Sequence, residues 1–113
     1  MAIGSVTVER FDGGAVVVAA GEHDLSTVEE FERGLAEAGE RGCSVIADLA
    51  EATFIDSTIA GSLLRCARDQ ALAVVVAPPG GEPRRVLDLL GFGAVAPVTD
   101  TRDDALRGLR ESA

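Results

Sequence analysis

Apolar and polar positions alternate along the first part of the chain with the period of a β-strand. Residues 5–11 (SVTVERF) alternate strictly, and a valine-rich run at 15–22 follows an Asp-Gly-Gly turn. Two such runs joined by a short glycine turn predict a β-hairpin. Because the first run is polar on its second face, we expect it to lie at the edge of a sheet.

The period then changes to that of a helix. Residues 24–42 (DLSTVEEFERGLAEAGERG) predict the first helix, which Asp24 or Ser26 can cap and Gly42 ends. Its apolar residues recur at the spacing of one helix face, at Val28, Phe31, Leu35 and Ala38. The five glutamates of this segment are expected on its solvated side, where contact with a basic partner stays open. They are Glu29, Glu30, Glu32, Glu37 and Glu40.

Strands and helices continue to alternate beyond Gly42. The predicted elements are a buried strand within 43–52, a helix over 57–71, a strand over 73–77, a helix over 84–90 stopped at Gly91, a strand near 94–98 and a helix over 101–111. The apolar stripe of the second helix is Ile59, Ala60, Leu63, Leu64 and Ala67. Because Pro97 cannot donate to a ladder, the last strand is short or at an edge. We therefore predict one α/β domain over residues 1–113.

Composition narrows the class. With 113 residues, 47% of them hydrophobic, the chain can bury a core. The longest apolar runs, at 15–20 and 71–79, are shorter than the roughly 20 residues that cross a bilayer, and the N-terminus lacks a signal-peptide pattern. We expect a soluble, cytoplasmic protein without a membrane partner.

The charge balance excludes further classes. The net charge is −9, whereas a nucleic-acid binder needs a basic face, so we expect no direct contact with DNA or RNA. The chain has no lysine, which removes Walker-type phosphate loops and Schiff-base chemistry. Cys43 and Cys66 are too isolated for a disulfide framework or a zinc site and are expected to be small buried residues. We therefore expect neither a metal nor another cofactor.

The stretch FIDSTIAGSLL at 54–64 places an acid and two hydroxyls, Asp56, Ser57 and Thr58, between apolar residues. Asp or Ser at this point can cap the second helix by accepting from its first-turn amides. A hydroxyl at a helix start is also where an attached phosphate is well tolerated. Local chemistry therefore leaves a plain cap and a phosphorylation site both open.

A resemblance to a known family bears on the choice between a plain cap and a phosphorylation site. The run DLAEATFIDSTIAGSLL resembles the signature of the STAS domain of anti-sigma factor antagonists. GEHDLST at 21–27 resembles the Gly-Glu-Leu-Asp segment of that family, and PRRVLDLLGFGAVAPVTDTRDDAL resembles its third helix and last strand and helix. The resemblance implies a STAS-like α/β domain with a mixed, mainly parallel sheet of about five strands and about four helices. His23 stands where Leu is common, and Ile59 where many members have Gly.

The resemblance also implies a function without catalysis. An anti-sigma factor that is a serine kinase would bind the unphosphorylated chain and so release a sigma factor. Phosphorylation at Ser57 would end that binding, and a phosphatase of the PP2C type would reverse the modification. The partner-binding residues carried over by position are Asp24, Asp56, Ser57, Thr58 and Gly61.

Two alternatives stay open at this point. The chain can be an unphosphorylated STAS subunit of a larger signalling assembly, or a small hydrolase that uses Asp56 or Ser57. The hydrolase is disfavoured because no Gly-x-Ser-x-Gly surrounds Ser57, and His23 is expected to be a packed or surface residue, not the base of a triad.

Overall fold

The computed structural model describes residues 4–40 and 42–112. Within them lie six strands, four α-helices and one 3₁₀ turn. In chain order these are β1 (Ser5–Phe11), β2 (Gly14–His23), α1 (Val28–Ala38), β3 (Ser44–Asp48), β4 (Ala52–Ile55), α2 (Ser57–Arg68), β5 (Val74–Val76), α3 (Glu82–Leu89), the 3₁₀ turn (Phe92–Ala94), β6 (Val98–Thr99) and α4 (Arg102–Ser112).

The strands form one mixed sheet in the order β1-β2-β3-β5-β6. The β1–β2 hairpin is antiparallel, and the other pairings are parallel. The predicted hairpin, the edge position of β1 and the mainly parallel sheet are confirmed. β2 is the longest strand, and its two halves have different neighbours on the side away from β1, because β3 pairs with residues 14–18 and β4 with residues 21–23.

β4 is the strand that the sequence did not predict. Its middle residues, Thr53 and Phe54, are both exposed, and only Ala52 and Ile55 are buried, so the segment has no strand-like alternation. It is a strand because β2 extends past the end of β3 and offers its last backbone groups for pairing. The amide of Gly21 donates to the Glu51 carbonyl at 3.0 Å where β3 gives way to β4.

Helices cover both faces of the sheet. One face packs against α1, α2 and α3 through Phe31, Leu63 and Leu87, all fully buried. On the other face, Val16 and Val18 of β2 and Val74 and Val76 of β5 pack against α4 through Ala105 and partly buried Leu106. The predicted α/β layering is confirmed. None of these helices is long and apolar enough to cross a bilayer, among the residues that the structure describes.

Several boundaries differ from the prediction. α1 begins after Thr27 and ends at Ala38, with Gly39 at its C-cap. Gly42 lies beyond the helix, in a turn with φ +65°. α3 begins at Glu82, two residues earlier than predicted, because a proline in its first turn is pre-set for a helix.

The last predicted strand is shorter and later than expected. Gly91, at φ 67°, turns the chain into the 3₁₀ turn, so residues 94–97 do not pair and β6 is limited to Val98–Thr99. Pro97 still accepts a hydrogen bond through its carbonyl from the Val75 amide at 3.0 Å. The expectation that this strand is short and at an edge is confirmed.

Burial also corrects some side-chain predictions. In α2, Ile59, Ala60 and Leu63 are buried as expected, whereas Leu64 and Ala67 are only partly buried against the core. Cys43 and Cys66 are both free and half-buried, not fully buried. Burial raises the pKa of the Cys66 thiol, which makes it a poor nucleophile.

Candidate functional site

The start of α2 is capped by Asp56. Its Oδ1 accepts from the amide of Thr58 at 3.0 Å and from that of Ile59 at 3.1 Å. Asp56 has extended backbone angles, as an N-cap residue should, and its carbonyl accepts from the Ala60 amide. Of the two capping candidates at this helix, the structure therefore selects the acid.

Ser57 is the first residue of α2 and is exposed. Its hydroxyl has no hydrogen-bond partner among the described residues, because Asp56 already occupies the first-turn amides that a cap would use. Of the two open possibilities, Ser57 is therefore not the residue that caps the helix. The hydroxyl is instead open to solvent and sterically accessible at the start of the helix.

Asp24 comes close to this helix start through the β2–β4 pairing. His23 pairs with Ile55, and the Asp56 amide donates to the His23 carbonyl at 3.3 Å. Since neighbouring strands are about 4.8 Å apart, the residues that follow, Asp24 and Asp56, leave the sheet side by side. The segments that carry these two carboxylates thus lie side by side at the start of α2.

Neither Asp24 nor Ser26 caps α1. Thr27 holds the N-cap position, and it makes no side-chain bond to the helix amides. Asp24 Oδ1 instead accepts from the amide of Ser26 at 2.9 Å and from its hydroxyl at 2.6 Å. These bonds lower the pKa of Asp24 below its ordinary value, so the residue is a carboxylate at neutral pH.

Thr58 and Gly61 complete the predicted set. Both are half-buried on α2, and Gly61 lies four residues after Ser57, on the same helix face. A Cβ at Gly61 would meet the Arg65 side chain at 3.5 Å, which is an ordinary van der Waals contact. The structure therefore places Asp24, Asp56, Ser57, Thr58 and Gly61 around one end of the sheet.

The structure does not bring His23, Asp56 and Ser57 together as a hydrogen-bonded triad. His23 was expected to be either packed or on the surface, and it is fully buried. Both of its ring nitrogens have partners other than Asp56 and Ser57. No group of three or more His, Cys, Asp or Glu side chains that can hold a metal is found in the described part of the chain.

Two exposed apolar residues near the site were missed by sequence reasoning. Leu25, which follows Asp24, is 73% exposed, and Phe54, which precedes Ile55 and Asp56, is 38% exposed. Protein interfaces are typically apolar at the centre and polar at the rim. Neither residue carries a local signal in the sequence that distinguishes it from a core position.

The glutamates of α1 are exposed, as predicted, but Glu32 also links two helices. Its Oε2 accepts from the hydroxyl of Ser62 on α2, which is buried, and from Arg65 Nη2 at 3.1 Å. The Ser62 bond and the Arg65 guanidinium lower the pKa of Glu32. α2, which begins at Ser57, is thereby tied to α1.

An open groove of about 590 Å³ lies far from this surface. It is lined by the hairpin turn, the start of β3 and the end of α4, through Phe11, Asp12, Gly13, Ser44, Leu106, Leu109 and Arg110. β2 separates the two regions by its full length, about 30 Å at 3.3 Å per residue. None of the predicted site residues lines this groove.

The STAS domain family matches the chain over residues 5–105. The chain belongs to the STAS domain family. This match includes all six strands and every predicted site residue. No curated protein matches the chain.

Solved structures share the STAS fold of this chain over nearly its full length. An anti-sigma factor antagonist from Mycobacterium paratuberculosis is 24% identical, with 96% of this chain and 95% of that chain covered, at a TM-score of 0.75. The anti-sigma factor antagonist SpoIIAA in its unphosphorylated form is 20% identical, with 94% and 98% covered, at 0.68. The Bacillus cell fate determinant SpoIIAA in its phosphorylated form is 17% identical, with 93% and 99% covered, at 0.60.

Proposed function

We propose that this STAS chain is an anti-sigma factor antagonist switched by phosphorylation at Ser57. In its unphosphorylated form it binds an anti-sigma factor that is a serine kinase, and so releases a sigma factor. The observation that carries the proposal is the exposed, unbonded Ser57 hydroxyl directly after the capping Asp56, in a chain of this family. Similarity in fold to SpoIIAA, solved with and without phosphate, supports it.

The binding surface is formed by Asp24, Asp56, Ser57, Thr58 and Gly61, with Leu25 and Phe54 as its apolar part. Its two carboxylates call for a partner with cationic or hydrogen-bond donor groups. The chain itself is non-catalytic, and a PP2C-type phosphatase restores it. This proposal takes the whole chain as one STAS domain.

The direction of the switch follows from charge. A phosphate adds about −1.5 to −2 charges at Ser57. The Thr58 and Ile59 amides, which would otherwise offset this charge, are already bonded to Asp56. The added charge therefore stays unneutralised beside Asp56, and burying it in an interface that fits the unmodified hydroxyl costs desolvation free energy, which opposes docking.

The test uses a purified anti-sigma factor kinase from the same cell. Incubation with ATP followed by site mapping should find phosphate on Ser57, and Thr58→Ala, the matched control for the adjacent hydroxyl, should still be modified. Titration should show that Ser57→Ala binds like the wild type and that Ser57→Asp binds at least about tenfold more weakly.

Three other results would contradict a phosphorylation switch at Ser57. Phosphate on Thr58 alone would move the switch by one residue. A stable large complex from the native cell with no phosphate on Ser57 would support the alternative, in which the chain is a STAS subunit of a larger signalling assembly. Equal affinities for the wild type and both Ser57 variants would leave residues 56–58 as a helix cap only.

A further inference from the structure

His23 is the only fully buried side chain with a titratable group among the described residues, and it is fully hydrogen bonded. Its Nε2 lies 3.2 Å from the Ser5 carbonyl oxygen on β1 and 3.0 Å from that of Ala20 on β2. Since carbonyl oxygens only accept, Nε2 carries the proton and donates to them. Its Nδ1 lies 3.1 Å from the Thr27 hydroxyl oxygen. The ring therefore joins the end of the hairpin to the start of α1.

Thr27 uses its hydroxyl in an uncommon way for an N-cap residue. It does not bond the first-turn amides of α1. Its oxygen accepts from the Asp24 amide at 3.1 Å and lies 3.2 Å from the Asp24 carbonyl oxygen. The hydroxyl is thus committed to His23 on one side and to the backbone of Asp24 on the other.

These contacts form a continuous chain from a buried ring to the surface. The His23 imidazole contacts Thr27, Thr27 holds the backbone of Asp24, and Asp24 Oδ1 is fixed by Ser26. The carbonyl of His23 also accepts from the Asp56 amide. One buried residue therefore touches both segments that carry the two carboxylates.

We propose that His23 is a positioning residue which, through the Thr27 hydroxyl, holds Asp24 in the geometry that the partner recognises. This inference rests on the proposed function for its binding consequence. Its structural part, the control of Asp24 by the ring, concerns the chain alone. The partner it serves is a protein with a cationic or donor group facing Asp24.

Two substitutions separate this role from simple core packing. Both side chains branch at Cγ, and an amide atom of asparagine takes the place of Nδ1, so His23→Asn can still reach Thr27 but not the strand carbonyls. A glutamine amide extends to the place of Nε2, so His23→Gln can still reach Ser5 and Ala20 but not Thr27. Thr27→Val removes the hydroxyl, whereas Thr27→Ser keeps it.

The first measurement needs no partner. Amide hydrogen exchange should be about tenfold faster at Asp24 in His23→Gln and Thr27→Val, the change expected for one lost hydrogen bond, and close to wild type in His23→Asn and Thr27→Ser. Val16→Ala, on the opposite face of the sheet, is the control for stability loss alone. Equal exchange at Asp24 in all variants would overturn the inference.

The second measurement is titration with the purified anti-sigma factor kinase, with Asp24→Ala as reference. His23→Gln and Thr27→Val should weaken binding about tenfold, as Asp24→Ala does, and His23→Asn and Thr27→Ser should not. If affinity instead falls in proportion to the loss of overall stability in every variant, Val16→Ala among them, the role of His23 is purely structural and the inference is overturned.

If Asp24→Ala binds normally while Ser57→Asp does not, the inference fails and the proposed function stands. If the wild type does not bind, the proposed function fails, and the exchange measurement still decides whether His23 holds Asp24.

Discussion

The amide of Asp56 donates to the carbonyl oxygen of His23 at 3.3 Å. This bond extends the β2–β4 pairing by one residue, from the buried pair His23 and Ile55 to the helix start. It fixes the Asp24 loop and the capped start of α2 with respect to each other. The surface around Ser57 is therefore built on the rigid end of the sheet, although its residues lie in loops and a first helical turn.

The cap and the proposed switch should separate in stability measurements. Asp56→Ala removes the acceptor of two amides and should cost about 1–2 kcal/mol, whereas Asp56→Asn, which can still cap, should cost little. Ser57→Ala should stay within about 0.5 kcal/mol, because the hydroxyl is exposed and unbonded. Urea denaturation of the three variants checks this. A Ser57→Ala loss as large as that of Asp56→Ala would contradict the assignment of the cap.

Core and partly buried positions of α2 should differ as well. Leu63 is fully buried, so Leu63→Ala should cost about 2–5 kcal/mol. Leu64 is only partly buried, and Leu64→Ala should cost clearly less. The two stability losses are compared through the denaturant midpoints of the variants, which requires that their m-values be equal. Equal losses would mean that Leu64 is a core residue, as its sequence spacing indicated.

The Glu32 contact should give a component of stability that depends on pH. The lowered pKa of Glu32 means that its contribution is complete above the ordinary pKa of a glutamate, about 4.3, and is lost as the pH falls through the lower folded-state value. The difference in urea midpoint between the wild type and Ser62→Ala should therefore shrink as the pH falls below about 4. In a Glu32→Gln background the same substitution should no longer change the pH dependence. A difference that grows in acid would have the wrong sign.

The ion pair that fixes α4 should matter more than the surface pairs. Arg102 Nε donates to Asp48 Oδ2 at 2.9 Å, and the Asp48 side chain is only 6% exposed. Arg102→Met leaves that buried carboxylate without its cation and should cost about 1–3 kcal/mol. Arg107→Met, which breaks an exposed pair with Asp104 on the same helix, should change stability by less than about 0.5 kcal/mol. Similar losses for both, measured by thermal unfolding, would show that burial of Asp48 has no consequence.

Salt should report the electrostatic part of the proposed switch. Ser57→Asp places a third carboxylate beside Asp24 and Asp56, and exposed charges are screened over about 8–10 Å at 0.1–0.15 M salt. The affinity gap between Ser57→Ala and Ser57→Asp should therefore narrow as salt is raised. Calorimetric titration with the anti-sigma factor kinase at 0.05 and 0.5 M salt measures it. A gap independent of salt would assign the loss to shape instead of charge.

Local pattern was enough to predict most elements of this fold. The alternation over residues 5–11, the glycine turn after it and the helical spacing from Ile59 to Leu63 depend on near neighbours in the chain, so each is visible in a short window. The acid and hydroxyls at 56–58 were visible for the same reason, and so was the resemblance to the STAS family. What such a window could not show was which of Asp56 and Ser57 forms the cap.

The remaining features depend on residues that are distant in sequence. β4 is a strand only because β2 is long enough to pair with it after β3 has ended, and its own residues carry no strand pattern. Arg102 meets Asp48 across 54 positions, and Glu32 meets Ser62 across 30, so neither contact has a sequence period. The sequence by itself determined every strand and α-helix except β4, and the position of the serine at the start of α2, because backbone propensity and side-chain period are local. Only the tertiary structure decided that Asp24, His23 and Asp56 meet beside Ser57, because that meeting depends on the register of two parallel strands.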